Sequence, residues 1–131
     1  MLQQCVPIEE SSAVAEARRC ASAMAQHLSF GDTARSKLEL AVTELATNVV
    51  HHAGCGQILL RPLAEERRAG IEVLALDKGP GMSNVRESMR DGYTSGNGLG
   101  LGLGGARRLS DQFDIQSAPG QGTRITITRW R

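Results

Sequence analysis

A chain of 131 residues, 40% hydrophobic and 22% charged, has the size and balance of one globular domain around one core. Thirteen Arg and two Lys against fourteen acids give a net charge of +1, which leaves no basic field for nucleic acid and no polybasic patch for a membrane surface. Only Phe30, Tyr93, Phe113 and Trp130 are aromatic, too few for a stacking platform, and no apolar run approaches the length of a membrane span.

The N-terminus, Met1 to Pro7, lacks the basic and apolar regions of a secretory signal. Cys5, Cys20 and Cys55 are odd in number and widely spaced, so no disulfide framework is expected and a cytoplasmic location fits best. Residues 3–8 read as a short strand, kept to an edge by Pro7. Val14, Ala17, Ala21, Met24 and Leu28 then recur at helical spacing. Gly31-Asp32 breaks the chain, with Asp32 expected to cap the next helix. That helix is predicted over 33–52, with Leu38, Val42, Leu45 and Val49 as its core stripe. Glu44 and Asn48, four apart, share a different face.

Gly54 and Gly56 end the helix. Residues 57–63 read as a strand, 64–70 as a charged hairpin tip, and 71–76 as an apolar central strand ending on Asp77. Residues 78–97 are too long for an ordinary connection. A short helix is expected at 106–109, a strand at 112–117, a turn at 118–122 and a half-buried strand at 123–130, where Thr126 and Thr128 alternate with Ile125 and Ile127. No linker or repeat divides the chain. The predicted fold is α+β, a two-layer sandwich with helices on one face of a mixed, mostly antiparallel sheet, formed by a single domain over 1–131.

Six glycines fall between Gly96 and Gly105. Bare backbone of this kind can approach a ligand closely and turn several N–H groups onto one anion. A Walker A loop would need a Lys after its glycines, and none follows Lys78. Gly100-Leu101-Gly102-Leu103-Gly104-Gly105 fits G-x-G-x-x-G, but a polar loop precedes it where a dinucleotide fold requires a strand. His51-His52-x-x-Cys55 has the look of a metal pair, but a structural zinc site needs four ligands and no further Cys/His cluster exists.

Four pieces remain in order. They are Glu44-x-x-x-Asn48 on a helix, Asp77-Lys78-Gly79-Pro80-Gly81 at a strand end, Gly98-Leu99-Gly100-Leu101-Gly102 before a helix, and Gly122-Thr123 before the last strand. Together they resemble the N box, G1 box, G2 box and late Gly-Thr of the GHKL (Bergerat-fold) ATPases, which include gyrase, Hsp90, histidine kinases and MutL. The resemblance implies ATP and Mg²⁺. Asp77 would accept a hydrogen bond from the adenine amino group, while Gly79 and Gly81 let the backbone bend under the base. Asn48 would offer a neutral oxygen to Mg²⁺. Glu44 would orient or deprotonate an attacking hydroxyl as the catalytic group. The N–H groups of Gly98, Leu99, Gly100, Leu101 and Gly102 would meet the phosphates, and Met82 to Asn97 would form a lid. Thr123 would reach the adenine directly or through water. Its other reading is an ordinary strand threonine, as solvated helix positions are for Glu44 and Asn48.

No room remains for the extra domains of gyrase, Hsp90 or MutL, and no dimerising segment with a phosphoacceptor His is present. Glu44-Leu45-Ala46-Thr47-Asn48, Asp91 to Gly96, Gly98 to Leu103, Arg108 to Phe113 and the Trp130 ending resemble the stand-alone serine/threonine kinases of bacterial partner switching, in particular the RsbT-like stressosome switch kinases. This implies phosphorylation of STAS-domain scaffold or antagonist proteins (RsbS- and RsbR-like), then release to activate a downstream output such as an RsbU-like phosphatase. An anti-sigma factor kinase and a non-enzymatic nucleotide switch are the alternatives. Neither a nucleic acid nor a membrane is expected as partner.

Overall fold

Apolar residues at helical spacing early in the chain, and alternation later, sort it into two layers. The computed structural model of the chain describes residues 2–79 and 103–131. Among these, β1 (Gln4–Ile8) leads into α1 (Ser12–His27) and α2 (Asp32–Ala53). The chain continues through β2 (Gly56–Glu65), β3 (Arg68–Asp77), a short α3 (Gly104–Arg108), β4 (Gln112–Ser117) and β5 (Thr123–Trp130). The expected lid, a helical turn at 85–89 and the residues Gly81, Gly98, Leu99, Gly100, Leu101 and Gly102 lie outside the described residues.

The sheet order is β1-β2-β3-β5-β4, so β3 is central and β1 an edge, as Pro7 requires. All four pairings are antiparallel. The mixed sheet expected from sequence thus contains no parallel pair among the described residues. β4 runs in the same direction as β3, but β5 inserts between them and pairs with both.

The helices lie on one face. Ala13, Ala17, Ala21 and Ala25 put a buried stripe of small side chains along α1, and Leu38, Ala41, Val42, Leu45, Ala46 and Val49 bury one side of α2. Under them the sheet presents cross-strand rows, of which Val6, Ile58, Ala75 and Ile125 form one, and Leu60, Val73 and Ile127 another, all buried. Each fully buried Leu or Ile contributes about 1.5–3 kcal/mol. Among the described residues no helix is long and apolar enough to cross a membrane.

Two local expectations need correction. Gly31, not Asp32, occupies the position before α2, with extended backbone (φ −69°, ψ 166°). Asp32 is the first helical residue, and its carboxylate is taken by Arg35 at 3.2 Å. The β2–β3 hairpin also runs further than predicted, to Glu65 and Arg68, because antiparallel pairing carries polar residues to the tip, where Arg68 bonds Glu65 at 3.0 Å. At the far end of α2, Gly54 (φ +82°) takes the left-handed turn that closes the helix, its N–H reaching the Val49 carbonyl at 3.1 Å.

Candidate active site

The next cross-strand row on the helix-covered face is Ile8, Gly56, Asp77, Thr123 and Ser117. Here the core turns polar. The row ends at a cleft of about 560 Å³ around the sheet end, lined by Asp77, Ser117, Gly122 and Thr123 and, from the row on the opposite face, by Leu76, Gln116 and Arg124.

Asp77 is held rather than free. Its Oδ1 accepts the Gly79 N–H at 2.9 Å, and its carboxylate accepts the Thr123 backbone N–H as well. Burial raises the Asp77 pKa above its ordinary value, against the opposing pull of the Gly79 N–H, His52 and the Thr123 N–H. Thr123 is 5% exposed, and its Oγ1 lies 2.8 Å from Ser117 Oγ.

Three glycines let the backbones close in around this carboxylate. A Cβ at Gly79 would lie 2.6 Å from the Ala53 Cβ, so the strand exit passes directly under the end of α2. At Gly122 (φ +76°) it would lie 2.4 Å from the Asp77 carbonyl oxygen. At Gly56 it would meet the Leu76 carbonyl oxygen at 2.3 Å and Val49 Cγ1 at 2.8 Å, which fixes α2 against the sheet.

α2 supplies a second set of groups. Glu44, Asn48 and His52 follow at intervals of four, so all three lie along one partly buried face. Steps of four advance about 6 Å along the axis. Near Glu44, α3 crosses. A Cβ on Gly105 would lie 3.7 Å from the Glu44 carboxyl carbon and Oε1, and α3 is anchored there by buried Leu103 and Ala106. Burial raises the Glu44 pKa, with Arg108 pulling the other way. At the other end, burial lowers the His52 pKa, with Asp77 opposing and His51 assisting. Between them, Asn48 Nδ2 is buried and has no hydrogen-bond partner among the described residues. Leaving such a group unpaired costs about 1–3 kcal/mol.

Among the described residues the structure brings Asp77, Gly79 and Thr123 together at the sheet end and, separately, Glu44 with Gly105 and Arg108 at the α2–α3 crossing. Asn48 lies between them on α2, and His52 links α2 electrostatically to Asp77. Sequence reading treated His52 only as half of a metal pair. Its spacing of four from Asn48 was the available signal. Ser117 was missed because its place depends on the β4–β5 register. Among the described residues, no group of three or more His, Cys, Asp or Glu is placed to hold a metal ion.

A polar row at a sheet end, coupled through His52 to a helix that carries an acid and an amide, accords with one family of known proteins. Residues 8–129 match the model of the histidine kinase-like ATPase domain. The chain belongs to that family. Within the histidine kinase-like ATPases, it is 37% identical over 128 residues to the serine/threonine-protein kinase RsbT of Bacillus subtilis (strain 168), covering 98% of this chain and 96% of that one. It is 28% identical over 99 residues to an anti-sigma F factor of Caldanaerobacter subterraneus subsp. tengcongensis, covering 71% of this chain and 68% of that one. Among solved structures, the mycobacterial sensor histidine kinase MprB shares the fold with a TM-score of 0.57 at 19% identity, covering 98% of this chain and 97% of that one. The SiaB–SiaC complex of Pseudomonas aeruginosa does so with a TM-score of 0.59 at 14% identity, covering 100% of this chain and 90% of that one.

Proposed function

We propose that this chain, acting as one domain over 1–131, is an ATP-dependent serine/threonine protein kinase of a bacterial partner-switching pathway. Its substrates are STAS-domain proteins of the RsbS and RsbR type, and its release activates an output protein such as an RsbU-like phosphatase. The observation that carries the reading is the partly buried polar row, Asp77 beside Thr123, coupled through His52 to the α2 face that also carries Glu44 and Asn48. The similarity to RsbT over nearly the whole chain supports the substrate type.

In this reading Asp77 accepts from the adenine amino group. The Gly79 and Thr123 N–H groups hold its carboxylate in place. Gly79 and Gly81 carry the chain past the base, and the backbone at Gly98, Leu99, Gly100, Leu101 and Gly102 takes the phosphates, as the resemblance to the family implies. Asn48 would hold Mg²⁺ through its neutral side-chain oxygen, a ligand this ion takes alongside phosphates, and its buried Nδ2 would be left to donate to a phosphate oxygen. The ion would supply charge neutralisation of the phosphates. Glu44 receives the proton of the partner's hydroxyl as that oxygen bonds the γ-phosphorus and the bond to the ADP oxygen breaks. Its raised pKa makes it a stronger base than an exposed glutamate. Arg108 beside it stabilises the charged form.

Similarity to an anti-sigma F factor favours one second reading, an anti-sigma factor kinase. Incubation with labelled ATP and purified STAS-domain proteins, followed by mapping of the modified residue, tests the proposal. Label on a Ser or Thr of a stressosome-type STAS protein supports it. Label only on an anti-anti-sigma protein, with capture of a sigma factor, supports the second reading. ATP binding with no transfer to any of them overturns both.

A further inference from the structure

Ser117 takes no part in the chemistry above, yet it touches the base end of the site. Its Oγ lies 3.1 Å from the Gly122 carbonyl oxygen and 2.8 Å from Thr123 Oγ1. A carbonyl oxygen only accepts, so the Gly122 bond uses the single proton of the Ser117 hydroxyl. Toward Thr123, Ser117 can then only accept. The Thr123 proton is thereby committed to Ser117, and what Thr123 Oγ1 has left is lone pairs. Thr123, Ser117 and Asp77 line the same cleft of about 560 Å³. Ionised Asp77 is also acceptor-only.

We propose that Ser117 is a specificity-determining positioning residue for the nucleotide base. By holding the Thr123 proton, it leaves the neighbouring Asp77 and Thr123 side chains with acceptors alone toward the base. Such a pair takes a purine with an amino group at position 6 and rejects a 6-oxo purine, whose carbonyl oxygen would face acceptors with no proton to give. Without the Ser117 hydroxyl, Thr123 turns freely and can donate to a 6-oxo group. The inference rests on the reading of Asp77 and Thr123 as the base end.

Equilibrium binding of ATP and ITP, with Mg²⁺ present, to the full chain separates the two claims. The wild type should prefer ATP. Ser117→Ala should narrow that preference about tenfold, chiefly through gained ITP affinity, as expected for one hydrogen bond changing direction. Ser117→Thr, which restores the hydroxyl, should keep the wild-type ratio. Thr123→Val should lose ATP affinity and gain none for ITP, since no hydroxyl remains to donate. An unchanged ATP-to-ITP ratio in Ser117→Ala, or equal losses for both nucleotides, would overturn the role of Ser117. If Asp77→Asn also left ATP binding unchanged, the base-site reading would fall with it. Asp77→Asn weakening ATP while Ser117→Ala leaves the ratio intact would overturn the Ser117 inference alone.

Discussion

The Asp77 carboxylate accepts the backbone N–H of Thr123, its direct partner across the β3–β5 ladder. This bond and the one from Gly79 use the carboxylate's lone pairs on the protein side and fix the rest toward the cleft. Asp77→Asn keeps an oxygen for the backbone but adds a donor where the adenine amino group also donates. ATP affinity should fall by about 1–3 kcal/mol, read by calorimetry, with the fold intact by circular dichroism. Unchanged affinity would remove Asp77 from the base site.

The same carboxylate predicts a pH dependence. Burial raises its pKa, so it takes up a proton before the pH falls to the ordinary aspartate value of about 3.9. Once protonated it no longer offers a charged acceptor. ATP affinity should therefore decline on acidification at a pH above that ordinary value, and Asp77→Asn should lack that decline. Affinity titrations against pH for the two proteins make the comparison.

Glu44→Gln should separate catalysis from stability. Loss of the base should slow phosphotransfer by about 10²–10⁴-fold while leaving ATP binding in place. The folded protein binds the Glu44 proton more tightly than the unfolded chain, since burial disfavours the charged form. Stability contributed by this group is thus full below the ordinary glutamate value of about 4.3 and is lost as pH rises through the raised one. Glutamine has no charge to bury. The variant should be more stable than wild type at neutral pH, with the difference shrinking in acid, as thermal melts at several pH values will report.

Gly122→Ala should damage the site through its backbone. A left-handed φ of +76° costs a residue with a side chain about 1–2 kcal/mol. Its Cβ would also lie 2.4 Å from the Asp77 carbonyl oxygen, so β3 and β5 must part at this row. Urea unfolding should show a loss larger than the φ cost alone, together with weaker ATP binding. A loss no larger than that cost would mean the strand ends can shift freely.

Much of this fold is legible in the residues themselves. The α2 stripe of Leu38, Val42, Leu45 and Val49 and the alternation through Ile125 and Ile127 specify which faces are buried, because burial imposes the periods of helix and strand. Asp77 ends its strand where the apolar run stops. What sequence could not supply depends on register and on competition between local partners. Ser117 reaches Thr123 only because β4 and β5 pair with those residues opposite one another. Asp32 falls one residue inside α2 rather than before it, a shift of boundary that composition does not resolve, and its exposed carboxylate meets Arg35 at 3.2 Å. His52 joins the site through the roll of α2 over Asp77, which spacing suggests and packing decides.

The central claim is that the sheet end at Asp77 and the α2 face at Glu44 and Asn48 are two ends of one ATP site. A crystal structure with Mg²⁺ and a non-hydrolysable ATP analogue tests it most directly. The account predicts the adenine amino group on Asp77, the ion on the Asn48 oxygen and the γ-phosphate toward Glu44. A nucleotide bound elsewhere, or an ion held without Asn48, would contradict it.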